Sequence, residues 1–120
     1  MTSSAFIPPV VSSLRLSSDK RQLTVSFKDG FAAVLSAELL RVESPSAEVQ
    51  GHGADQKQIV RDKQNVTITN IEAVGNYAVR LIFDDGHDTG LYSWSLFYEY
   101  GQKQTEMMAA YHEALKADGF

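Results

Sequence analysis

The chain has 120 residues, 43% apolar and 22% charged, which is one ordinary domain's worth of core, and no segment nears the roughly 18 consecutive apolar residues of a membrane span. Fifteen acidic against 11 basic residues give a net charge of -4, and the bases (Arg15, Lys20, Arg21, Lys57, Arg61 and Lys63 among them) are scattered, which argues against a nucleic-acid partner held by clustered Lys and Arg. There is no cysteine, so disulfides, thiolate metal sites, iron-sulfur ligation and cysteine nucleophiles are all excluded.

Residues 1–10 contain Pro8-Pro9 and no basic start, so they read as a flexible lead-in and not as a signal peptide, and a single domain is expected over 11–120. With no export signal and no disulfide framework, the expected compartment is the cytoplasm. From Val11 to Phe27 apolar residues alternate (Leu14, Leu16; Leu23, Val25, Phe27) around the polar turn Ser17-Ser18-Asp19-Lys20, which predicts a hairpin. Lys28-Asp29-Gly30 turns the chain again, and Phe31, Ala33 and Leu35 continue as a third strand. Ser36 then fits a helix N-cap, with Glu38 in the first turn and Leu39 and Leu40 to bury, and Ser44-Pro45-Ser46 ends that short helix. The stretch from there to Lys63 is polar and reads as a long loop.

Strands return at Val66, Ile68 and Ile71. A Gly75-Asn76 turn leads to the alternation Tyr77, Val79, Leu81, Phe83, and Arg80 and Ile82 on the other face make this the expected central strand. Leu96, Phe97 and Tyr100 predict a second short helix stopped by Gly101. Met108, Tyr111 and Leu115 then form one stripe of an amphipathic helix over 102–116, docked on the sheet.

Two polar regions hold the candidate chemistry. Asp84-Asp85-Gly86-His87-Asp88-Thr89-Gly90-Leu91-Tyr92-Ser93-Trp94 gathers a turn, one of three histidines and the sole tryptophan. The loop from Ser44 to Asp55 includes Gly51-His52-Gly53. Two readings of the first stretch stand side by side: a site, or a hairpin turn at Asp85-Gly86 with Tyr92 and Trp94 as core aromatics. No serine lies in a G-x-S-x-G elbow, no glycine set forms a phosphate cradle, and none of His52, His87 and His112 has an acid two residues on, as an iron-oxygenase site would. His52 and His87 with nearby acids such as Glu43, Glu48, Asp55 and Asp88 are the residues from which a nitrogen and oxygen metal site could be built.

Leu39-Leu40-Arg41-Val42-Glu43-Ser44-Pro45-Ser46-Ala47-Glu48-Val49 with Gly51-His52-Gly53, followed by Asp85-Gly86-His87-Asp88-Thr89-Gly90-Leu91-Tyr92-Ser93-Trp94, resembles the gamma-butyrobetaine hydroxylase-like N-terminal domain family in its free-standing bacterial form. The resemblance covers roughly 10–101. In the parent oxygenases this small domain precedes a separate catalytic barrel, so the resemblance does not imply oxygenase activity for these residues. It does imply the position of a zinc, held in that family by a Cys-Pro-Cys-x-x-Cys turn and the histidine of a D-G-H motif. Here the turn is Ser44-Pro45-Ser46-Ala47-Glu48-Val49 and the histidine is His87. A hydroxyl is a far poorer zinc ligand than a thiolate, and valine is none, so the family's zinc is expected to be absent and the turn to survive as shape. Related domains fused to ATPases of iron-sulfur cluster assembly add an iron-handling association.

The expected fold is α+β: a small antiparallel or mixed meander of about five or six strands with two or three helices, the C-terminal one packed on the sheet. The expected function is a non-catalytic accessory or protein-interaction domain with no cofactor, no nucleic-acid or membrane partner and an unidentified protein partner. Its surface would use Ser44, Pro45, Ser46, His52, Asp85, Gly86, His87, Tyr92 and Trp94. The alternative is an iron or zinc domain with His87 as ligand.

Overall fold

In a computed structural model, which describes residues 10–51 and 57–117, the fold is α+β as expected, with six antiparallel strands and three helices, and period-two alternation divides the strands between two sheets. The first joins β1 (Val11–Leu16), β2 (Gln22–Phe27) and β3 (Ala32–Ser36), antiparallel and in chain order. Leu23 and Val25 of β2 and Leu35 of β3 are fully buried on its inner face. The second joins β4 (Ile68–Val74), β5 (Ala78–Phe83) and β6 (Leu91–Ser93), and β5 is its central strand as the sequence predicts. The long segment between β3 and β4 is what separates the sheets. The Ile68 N–H still donates to the Lys20 carbonyl at 2.9 Å, and the two inner faces share one core.

Between the sheets, α1 (Ala37–Val42) starts at Ser36, whose hydroxyl accepts from the Leu39 N–H at 3.0 Å. The predicted loop from Ser44 contains one helical turn, α2 (Ala47–Gln50). Glu48 in that first turn favours the helix dipole and Val49 is 2% exposed, so burying one valine rewards a turn too short for periodicity to reveal.

The two predicted C-terminal helices are one, α3 (Trp94–Ala117). Gly101 is a passing point and not a stop. A Cβ there would overlap the Ala33 Cβ and lie 3.1 Å from the Phe31 ring, so glycine lets the helix approach β3 closely. Phe97, Tyr100 and Tyr111 are buried along one side of α3, with Met107 and Met108 packed on the core. No described helix is long and apolar enough to cross a membrane. The lead-in expected before Val10 and the position of His52 lie outside the described residues.

A hydroxyl and imidazole corner as candidate functional site

The site is built where the end of α1 meets the β5–β6 connection. Asp85-Gly86 forms the predicted tight turn: the Gly86 N–H donates to the Phe83 carbonyl at 3.0 Å, and the Phe83 N–H to the His87 carbonyl at 3.0 Å. Gly86 has φ +90°, a backbone that side-chain-bearing residues adopt poorly. The Asp85 carboxylate accepts from the His87 N–H at 3.0 Å, and this aims the imidazole inward, where its side chain is only 6% exposed.

There His87 Nε2 lies 2.9 Å from Ser44 Oγ and 3.4 Å from Ser46 Oγ, and the two hydroxyls are 3.2 Å apart. The two sequence motifs therefore converge, on Ser44, Ser46 and His87. Ser44 is fully buried and Ser46 6% exposed. Ser46 stands at the N-cap position of α2, yet its hydroxyl makes no capping bond and serves the corner instead. Pro45 between them is half-buried, and the Ser44 carbonyl accepts from Gln50 Nε2 at 2.9 Å, so both ends of the turn are fixed.

A second ring of partners holds this triangle. Asp85 Oδ2 takes Arg41 Nε and Lys63 Nζ, each at 2.7 Å. Its partial burial would by itself raise the carboxyl, but the hydrogen bonds from Lys63, the His87 N–H and Arg41 outweigh this and hold it well below the usual carboxylate range. Glu48 Oε1 lies 3.5 Å from His87 Nδ1 and accepts from the Thr89 hydroxyl. Burial and the Arg41 charge push the His87 imidazole down, against the opposing pull of Glu48, Asp85 and Asp88.

Neighbouring aromatics complete the frame. Tyr92 is fully buried, stacked on Phe97, and its hydroxyl donates to the Leu40 carbonyl; burial raises its pKa. Tyr100 donates to the Glu43 carbonyl at 2.7 Å. Trp94 is half-buried and turned elsewhere, its Nε1 donating to the Asn76 carbonyl at 3.0 Å on the β4–β5 turn. Of the residues predicted from sequence, Ser44, Pro45, Ser46, Asp85, Gly86 and His87 share the corner. Tyr92 supports it from the core, and Trp94 stacks on Phe97, the ring neighbour of Tyr92 in that frame, while its Nε1 ties it to the β4–β5 turn.

Sequence reasoning gave Arg41, Lys63 and Gly90 no part in the site. A Cβ at Gly90 would meet Ser44 Oγ at 2.5 Å, so the absent side chain leaves room for the hydroxyl. Among these, the one local signal was Arg41, placed in the last turn of α1 directly before the Ser44 turn.

The donor set does not fit the zinc that the resemblance implies. Ser44 Oγ, Ser46 Oγ and His87 Nε2 contact one another as hydrogen-bonded neighbours, two of the three are neutral hydroxyls, and Val49 offers no lone pair. No group of three or more His, Cys, Asp or Glu side chains converges among the described residues. Ser44, His87 and Glu48 do line up as hydroxyl, imidazole and carboxylate, the order of a nucleophilic relay. Ser44 is enclosed by protein, however, so its hydroxyl offers a substrate carbonyl no approach. The hollow beside Asp85, about 350 Å3 and lined by Asp62, Lys63, Asn65, Val66, Asp84 and Asp85, is open and does not reach the imidazole.

A pH dependence follows. An unfolded imidazole titrates near 6.5 and the folded one lower, so between these values the unfolded chain binds more protons. Stability is therefore expected to fall as pH drops below 6.5 and to level once the folded imidazole is itself protonated. Asp85 adds a second loss, complete above about 3.8 in its benefit and fading as pH falls below that. Melting temperatures of the wild type and His87→Gln across pH 2 to 8 check this. The variant should lose the upper limb and keep the lower; parallel curves would show that His87 carries no such linkage.

Comparison with known proteins places this frame. No curated protein matches the chain. One protein with an NMR solution structure is 48% identical, with a TM-score of 0.82, over 100% of this chain and 89% of that one. A second, also solved by NMR, is 38% identical, with a TM-score of 0.79, over 93% of this chain and 88% of its own. A crystal structure of a protein of unknown function in the DUF971 family, from Acidithiobacillus ferrooxidans ATCC 23270, is 34% identical, with a TM-score of 0.63, covering 76% of this chain and 91% of that one. With residues 14–98 matching the family described as gamma-butyrobetaine hydroxylase-like, N-terminal, the two converging motifs have their explanation: the chain belongs to the gamma-butyrobetaine hydroxylase-like N-terminal domain family.

Proposed function

We propose that this chain is a non-catalytic accessory domain whose corner keeps a protein-docking surface in shape. The observation that supports this is the 2.9 Å contact between Ser44 Oγ and the enclosed His87 Nε2. The groups that would do acid-base or nucleophilic work face one another, and the motif residues act as a latch between the α1–α2 turn and the β5–β6 connection. On its outer rim stand Leu91, 50% exposed, and the Thr89–Glu48 pair two residues before it. Leu91 lies across the strand from Arg80, itself paired with Glu72, and an exposed leucine among paired charges of both signs suits a partner surface with an apolar centre and a mixed charged edge.

The test has two arms. Leu91→Asp should melt like the wild type yet fail to retain a protein that wild-type chain captures from its own cell extract. Untagged wild type should keep its melting temperature in chelator and in added zinc or iron(II). Equal capture by Leu91→Asp would remove the surface from the reading, and a chelator-induced drop would favour the metal domain instead.

A further inference from the structure

Among the described residues, four strand edges face outward in the two sheets, and three carry an evident block to pairing with another chain. β1 has a register break between Val11 and Ser13 and the charge of Arg15. β4 has a break between Ile68 and Asn70 and the charge of Glu72. β6 is three residues long. β3, Ala32-Ala33-Val34-Leu35-Ser36, has five regular residues, no break in its pairing with β2 and no charge.

Its odd-numbered side is fixed toward β2, since the Ala37 N–H donates to the Arg21 carbonyl at 2.7 Å and the Phe31 carbonyl accepts from Phe27 at 2.8 Å. Val34 and Ser36 therefore turn their main-chain groups to the open edge. Gln104 of α3 occupies them: its Oε1 accepts from the Ser36 N–H at 3.0 Å, and its Nε2 donates to the Val34 carbonyl at 2.7 Å. An acceptor and a donor flanking one residue, Leu35, are what an N–H and a C=O from successive peptide groups of a neighbouring strand would engage. The carboxamide takes that strand's place.

We propose that Gln104 is an intramolecular block which closes the β3 edge to strand pairing with a second copy of this chain. A second copy is the fitting occupant because two uncharged β3 edges oppose no like charges when antiparallel. Val34, 47% exposed, lies at the middle of the strand.

The experiment compares the full chain with Gln104→Ala and with Gln104→Met, which keeps the length but not the hydrogen bonds, by sedimentation and amide exchange. In either folded variant the Ser36 amide should exchange about tenfold faster, and a concentration-dependent dimer should form. Adding Val34→Lys, a charge on that edge, should return the variant to a monomer. Two variants that remain monomeric at high concentration overturn the proposal. So does a dimer that Val34→Lys leaves intact, because it would be joined elsewhere. If Gln104→Ala does not fold, Gln104→Met decides alone.

Discussion

Gly101→Ala should lower the melting temperature, the reverse of what the same exchange does in an ordinary helix interior. There, alanine gains about 0.8–1 kcal/mol over glycine because glycine loses more backbone freedom. In α3 the new methyl overlaps the Ala33 Cβ and comes within 3.1 Å of the Phe31 ring, both attached to the sheet and neither a flexible chain end. Overpacking of this kind costs about 1–3 kcal/mol, enough to outweigh the gain in propensity. α3 must then lift from β3, which also pulls Gln104 from the Val34 carbonyl and Tyr100 from the Glu43 carbonyl. Thermal or urea unfolding of Gly101→Ala, Ala33→Gly and the double variant checks the cause. Ala33→Gly alone should destabilise as a strand glycine does, yet in the Gly101→Ala background it should recover stability. A more stable Gly101→Ala would mean that the helix slides aside without loss, and that the close approach is incidental.

The same glycine shows where sequence reading stops. Strands β1 to β5 were legible because period-two apolarity is local: Leu23, Val25 and Phe27 announce a buried face without knowledge of what covers it. Gly101 after Tyr100 has the form of a helix end, and only the later packing of Ala33 against it explains why glycine stands inside α3. α2 was hidden for a different reason, since a single turn has no period to detect. In the corner, the pairing of the Ser44–Ser46 turn with His87 came from family resemblance. The Arg41 and Lys63 contacts to Asp85 did not, because ion pairs between distant segments leave no spacing signal. Tyr92 and Trp94 lie in one short run and look equally fit for core or surface, yet one is enclosed and the other half-buried at a separate turn. Burial of an aromatic depends on the far side of the fold, which its neighbours in sequence do not encode.

Gly90→Ala should be the most damaging single methyl in the corner, and its cost should depend on Ser44. The backbone at Gly90 lies outside the left-handed region, so alanine meets no conformational objection and the effect is steric. Its Cβ would stand 2.5 Å from Ser44 Oγ and 3.0 Å from Tyr92 Cε1, between a hydroxyl held by His87 and a ring held by the core. Either Ser44 gives up the imidazole, leaving a buried donor or acceptor unpaired, or the β5–β6 connection shifts outward; each costs about 1–3 kcal/mol. We expect a loss of about 3 kcal/mol in unfolding experiments, with a shallower fall below pH 6.5 if the imidazole is released from its pocket, because burial is what lowers its pKa. In a Ser44→Ala background the hydroxyl is gone, and Gly90→Ala should cost distinctly less, a coupling that a double-mutant cycle measures directly. Simple addition of the two losses would mean that Gly90 matters for Tyr92 alone. Strong coupling would show that the serine-for-thiolate corner is a packed unit, in which the missing side chain at Gly90, the hydroxyl at Ser44 and the ring of His87 are fitted to one another.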